Sequence, residues 1–173
     1  ADTTPALLGP DARPVPAGLA TAIREMASGR ARGMGASLAG GLQGFPRATY
    51  DADITPAKDV DNLQRLAAAL RDLEARVYTE QIPEGLVFDC SAQMLARADI
   101  WNLITNAGRL DLAFQPSGTS GFNDLAPHAV RFDVYGHSLL AARLEDIIRS
   151  KEAANRPQDR QDVEVMREML KRK

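Results

Sequence analysis

Phe45-Pro46-Arg47-Ala48-Thr49-Tyr50-Asp51-Ala52-Asp53-Ile54 is the stretch on which the reading of this chain turns. Its last residues have the character of a short strand. Side chains in a strand alternate faces, so Asp51 and Asp53 point one way while Ala52 and Ile54 point the other. Two aligned carboxylates repel each other unless a cation lies between them. Oxygen donors presented on one face suit a hard divalent ion, Mg²⁺ above all, which bridges to the phosphates of a nucleotide. An Asp-x-Asp by itself also occurs on solvated strand ends, so its neighbours carry the weight.

Upstream lies a glycine-rich run, Gly33-Met34-Gly35-Ala36-Ser37-Leu38-Ala39-Gly40-Gly41. Glycine lets the backbone approach a triphosphate closely, and N–H groups opening a following helix face the anion. The bland alternative is a flexible linker without a ligand. Downstream, a third carboxylate, Asp111, sits in the alternating stretch Leu110-Asp111-Leu112-Ala113-Phe114. If that strand lies beside the Asp51 strand, Asp111 completes an acidic cluster, with Leu110 and Leu112 on the opposite side.

Outward from these motifs, the first 15 or so residues hold Pro5, Pro10 and Pro14 and read as an extended lead-in, with the domain proper from residue 16 to 173. A helix is predicted over Leu19 to Ala27. Leu63, Leu66, Ala67, Leu70 and Leu73 recur at helical spacing and predict an amphipathic helix from Asp61 to Ala75. A strand follows at Arg76 to Thr79, then a short helix from Ser91 to Ala98 with Ser91 as N-cap. Trp101 to Thr105 and Leu110 to Phe114 read as a hairpin turned at Asn106-Ala107-Gly108-Arg109. Trp101, opening an apolar strand, reads as a core residue before a base-stacking one. Gln115 to Asn123 is a surface loop, and a second hairpin pairs Val130 to Val134 with Ser138 to Ala142. The last third is helical, broken at Asn155-Arg156-Pro157, with Val163, Met166 and Leu170 inward.

Composition is that of a folded domain: 173 residues, 45% hydrophobic, 25% charged. A net charge of −2 supplies no bulk attraction to nucleic acid, so a nucleotide would be held locally, by metal and a few basic side chains. Cys90 is the only cysteine, which excludes an intramolecular disulfide. It reads as a small buried hydrophobe. The two histidines, His128 and His137, stand at no ligand spacing with it, which argues against zinc or a Cys-His pair. Apolar stretches are too short to span a bilayer, and a cytoplasmic protein without a membrane partner is the expectation.

The order of glycines, paired aspartates and a later strand aspartate resembles the minimal nucleotidyltransferase superfamily: an apolar residue, Gly, Gly or Ser, a short spacer, Asp-x-Asp or Asp-x-Glu, and a third carboxylate on a later strand. The run from Gly44 to Asp53 and the tail Ala142-Arg143-Leu144-Glu145-Asp146-Ile147-Ile148-Arg149-Ser150-Lys151-Glu152-Ala153-Ala154-Asn155-Arg156-Pro157-Gln158-Asp159 look like bacterial members related to the AbiEii-type toxins. The likeness spans about residues 30 to 173. It implies an α/β (α+β) single domain, a mixed and mostly antiparallel sheet flanked by helices.

It further implies transfer of a nucleoside monophosphate from a nucleoside triphosphate to an acceptor hydroxyl. Asp51, Asp53 and Asp111 would hold two Mg²⁺ ions, and Asp111 would take the hydroxyl proton. Gly35, Ser37, Arg47, Lys151 and Arg156 would contact the nucleotide, with Asp159 orienting one of the basic side chains. Two registers of the glycine element fit: Gly35-Ala36-Ser37 leaves thirteen residues before Asp51 and Gly40-Gly41 leaves nine. The first is preferred for Leu38-Ala39 and Gly44 behind it. The implied acceptor is a tRNA end, an antibiotic hydroxyl or a protein side chain, and a toxin would have a neutralising, antitoxin-like protein partner. The alternative is a noncatalytic nucleotide-binding or interaction module that keeps the fold.

Overall fold

Ala52, Ile54, Leu110 and Leu112, the apolar halves of two alternating strands, are buried together in the computed structural model, which describes residues 51–134 and 137–172. Strand β1 (Asp51–Ile54) leads into helix α1 (Val60–Asp72), then the strands β2 (Arg76–Thr79) and β3 (Ile82–Leu86) and the one-turn helix α2 (Ala92–Leu95). The hairpin β4 (Ile100–Thr105) and β5 (Gly108–Ala113) follows. A one-turn helix α3 (Phe122–Leu125) and a 3₁₀ turn lead to a second hairpin, β6 (Val130–Val134) with β7 (His137–Ala141). Two helices close the described chain, α4 (Leu144–Ala154) and α5 (Pro157–Lys171). The result is an α/β domain whose five-stranded sheet runs β1-β5-β4-β2-β3, with β6 and β7 paired as a ribbon.

β1 is parallel to β5, and every other pairing in the sheet is antiparallel. A parallel neighbour needs a crossover, which here runs through α1, β2, β3, α2 and β4. α1 lies on one face of the sheet. Asp59 caps it, its side chain accepting the Asn62 N–H at 2.9 Å. Asn62, fully buried, donates to the Ala57 carbonyl at 2.8 Å and so pins the turn out of β1. Leu63, Leu66, Ala67 and Leu70 of α1 pack on Leu103, Leu110 and Leu112 of the sheet, with Leu95 of α2 beside them.

The first hairpin matches its expectation, with β5 starting two residues earlier, so Gly108 and Arg109 belong to the strand and not to the turn. Trp101 faces the core: its ring stacks on Phe88 with centroids 5.3 Å apart, and Nε1 donates to the Leu95 carbonyl at 3.2 Å. Ser91 caps α2 by accepting the Met94 N–H. Strand β3 was not anticipated. Its sequence, Ile82-Pro83-Glu84-Gly85-Leu86, contains two strand breakers that an edge strand tolerates. Gly85 has φ +80°, and a Cβ there would stand 2.5 Å from Ile104 Cγ2 and 2.6 Å from Arg76 Cβ.

A second cluster forms at the C-terminal end, where Leu144, Ile147 and Ile148 of α4 meet Val163 and Met166 of α5 over Ala141 and Ala142. Among the described residues no helix is long and apolar enough to cross a membrane. The predicted helix over Leu19 to Ala27, the lead-in and the boundary at residue 16 lie outside the described residues.

Leu112 is fully buried in the strand that joins β1 to the rest of the sheet. Leu112→Ala should lower the unfolding free energy by about 2–5 kcal/mol, read from urea denaturation followed by circular dichroism.

Candidate functional site

The pairing of β1 with β5 sets Asp51 against Arg109, Ala52 against Leu110, Asp53 against Asp111 and Ile54 against Leu112. Since Ala52, Ile54, Leu110 and Leu112 face the core, Asp53 and Asp111 share the opposite face. Both are half-buried there. Residues at matched positions on adjacent strands lie about 4.8 Å apart in the backbone, so the two carboxylates leave the sheet side by side. Asp51 stands two residues earlier on β1, and its side chain lies outside the described residues. Among the described residues no three His, Cys, Asp or Glu side chains form a cluster suited to a metal ion. The described acidic centre is the pair Asp53 and Asp111.

The same face continues across the sheet. Asn102 on β4 pairs with Asp111, and Ile104 pairs with Arg109 on one side and Arg76 on the other. Asn102 and Arg76 are exposed, and Ile100, 64% exposed, marks this face as open to solvent. One side of the sheet is therefore an apolar core and the other a polar surface with two carboxylates near the β1 edge.

Lys151 and Arg156 belong to a different cluster. α4 ends at Asn155, whose left-handed backbone (φ 51°) turns the chain into α5, with Pro157 in its first turn. That turn folds Lys151 back onto Asp159, at 3.1 Å, and Asp162, at 2.9 Å, while Arg156 Nε donates to the other oxygen of Asp159 at 2.7 Å. The Asp159 side chain is 1% exposed, and that of Arg156 is 63% exposed. Asp159 thus holds both basic side chains, one more than expected. Asp162 was not anticipated; its signal was the i, i+3 spacing to Asp159, which puts both on one helix face. Burial alone would raise the Asp159 pKa, but hydrogen bonds from Arg156 and Lys151, with their charges, hold it below the usual carboxylate range. A surface pocket of about 310 Å³ opens beside this cluster, lined by Lys151, Asn155, Asp159, Arg160, Val163 and Arg167 among others.

The loop after β5 reaches α4. Gly118, at φ +68°, comes so close that a Cβ there would stand 2.7 Å from Ala153 Cβ. Asp124 Oδ2 accepts both the Ser120 N–H, at 3.0 Å, and Arg149 Nη2, at 2.8 Å. The segment leaving the strand of Asp111 is therefore fastened to the helix of Lys151. Gly35, Ser37 and Arg47 lie outside the described residues.

Cys90 is half-buried, its thiol pKa raised chiefly by burial, and its Sγ points to the Ala67 carbonyl at 3.6 Å. Compared with models of protein families and with curated proteins, the sequence finds no match.

A carboxyl depressed on folding stabilises the fold above its unfolded pKa of 3.8 and loses that contribution as pH falls through its lower folded value. Asp159→Asn should flatten the fall in stability below pH 3.8. At neutral pH it should cost about 3 kcal/mol, because a buried partner of Lys151 and Arg156 is removed. Thermal unfolding as a function of pH reads both effects.

Proposed function

We propose that this chain is a Mg²⁺-dependent nucleotidyltransferase, moving a nucleoside monophosphate from a nucleoside triphosphate to an acceptor hydroxyl. The observation that carries this reading is the register of β1 on β5. It sets Asp53 beside Asp111, on strands joined by a long crossover, with both residues half-buried on the face away from the core. An all-oxygen donor set of this kind fits a hard divalent cation and would suit neither copper nor zinc as well. The resemblance of residues 30 to 173 to the minimal nucleotidyltransferases supports the same reading.

Asp51, Asp53 and Asp111 would hold the metal, which when bound supplies positive charge to the triphosphate and to the developing acceptor oxyanion. Asp111 accepts the proton of the acceptor hydroxyl, the freed oxygen forms a bond to the α-phosphorus, and the bond to the β-phosphate oxygen breaks to release pyrophosphate. Gly35 and Ser37 would contact phosphate oxygens through backbone and hydroxyl donors, with Arg47 beside them. Lys151 and Arg156, oriented by Asp159, would give a pair of cations at the helix turn for the nucleotide. Among acceptors a tRNA end is preferred, and a toxin of this kind would be neutralised by a protein partner.

Calorimetric titration with the four ribonucleoside triphosphates, with and without Mg²⁺, tests the reading. Wild-type binding should require Mg²⁺. Asp53→Asn and Asp111→Asn should each weaken it by more than the ~10–100-fold that loss of an outer-shell partner costs, with the fold intact by circular dichroism. Metal-independent binding, or binding unchanged in both variants, would rule the transfer mechanism out.

A further inference from the structure

Two arginines stand on the same face of the sheet as the acidic pair. Arg109, Ile104 and Arg76 form one row across β5, β4 and β2, so both guanidinium groups leave the same side of the sheet. Neither forms an ion pair with a described residue, a property they share with Arg65, Arg71, Arg97 and Arg160. Arg109 is instead braced on an aromatic ring: its guanidinium carbon lies 4.0 Å from the centroid of Tyr78. Its Nε is buried without a hydrogen-bond acceptor among the described residues.

Tyr78 follows the Val77–Leu103 pair on β2, which places it at the level of Asn102 and hence of Asp111. One row across the sheet therefore runs Asp53, Asp111, exposed Asn102 and Tyr78, and Arg109, two residues before Asp111 on β5, reaches the Tyr78 ring from the neighbouring row. A guanidinium stacked on a ring keeps a planar fork of N–H donors with little rotameric freedom left to lose, the form that binds phosphate oxygens best.

We infer that Arg109, held by Tyr78 and flanked by Arg76 and Asn102, is a phosphate-binding subsite on the open face of the sheet. Its use in transfer, for the triphosphate tail or for a phosphate carried by the acceptor, rests on the function proposed above. The anion site itself does not. The carboxylates would carry the metal, and the arginines would take the phosphate that reaches past it.

Inorganic phosphate is the first probe, titrated into the ¹⁵N-labelled chain by nuclear magnetic resonance. The Arg109 Nε–H signal is identified by its loss in Arg109→Gln. It should shift saturably together with the Asn102 amide. Arg109→Gln should remove the Asn102 shift, Arg109→Lys should weaken binding about tenfold, the equivalent of one charge-assisted hydrogen bond, and Tyr78→Phe should leave it unchanged. The absence of a saturable shift in the wild-type chain, or an Asn102 shift that survives Arg109→Gln, would overturn the subsite; near-UV dichroism of Trp101 checks that each variant is folded.

Two further titrations separate the sources. A shift of Arg109 by Mg²⁺-ATP that vanishes in Asp53→Asn assigns the subsite to the triphosphate. A shift by ribose 5-phosphate that persists in Asp53→Asn assigns it to the acceptor. A phosphate response in a chain whose nucleotide binding ignores Mg²⁺ would refute the transfer function and leave the subsite standing.

Discussion

The parallel pairing of β1 with β5 is the constraint on which the rest depends. It is the one parallel pairing in the sheet, and no hairpin enforces it. Its register is fixed by what lies underneath: Ala52 and Ile54 must meet Leu110 and Leu112 over α1, because a slip of one residue would send the aspartates into the core and the apolar set into water. Burial of four apolar side chains thus determines, on the reverse face, that Asp53 and Asp111 are neighbours. The acidic pair follows from the hydrophobic core without needing an attraction of its own.

Asp53 and Asp111 are like charges at matched positions on adjacent strands. Like charges directly opposite each other in a sheet repel, and partial burial sharpens that repulsion by lowering the local dielectric. In the C-terminal helices each buried carboxylate is matched by a described base: Asp146 with Arg143 and Arg149, Asp159 with Lys151 and Arg156, and Asp162 with Lys151. The fold satisfies buried charge in that cluster with partners from the same two helices.

The sequence made some of this legible and concealed the rest for physical reasons. Alternation in Leu110-Asp111-Leu112 and the turn at Asn106-Ala107 are local signals, so the β4–β5 hairpin and the core face of Asp111's neighbours could be read directly. The helical spacing of Leu63, Leu66, Ala67 and Leu70 was equally plain. β3 was hidden because Pro83 and Gly85 deny it strand propensity, and it persists as an edge that packs its glycine against Ile104. The partnership of Lys151 with both Asp159 and Asp162 was only half visible, since it needs the left-handed turn at Asn155 to reverse one helix onto the next.

Arg109 is the sharpest case. Read locally it belonged to a turn, where an arginine is an ordinary solvated residue. Its position acquires meaning only when β2, separated from β5 in sequence by β3, α2 and β4, is found on the far side of β4, bringing Tyr78 under the guanidinium. Cross-strand rows are set by sheet order, and sheet order is not written in any single segment. A site assembled along such a row, from Asp53 on β1 to Tyr78 on β2, is invisible to motif reading even when one end of it is an Asp-x-Asp. The acidic end could be found by pattern; the basic end required the topology.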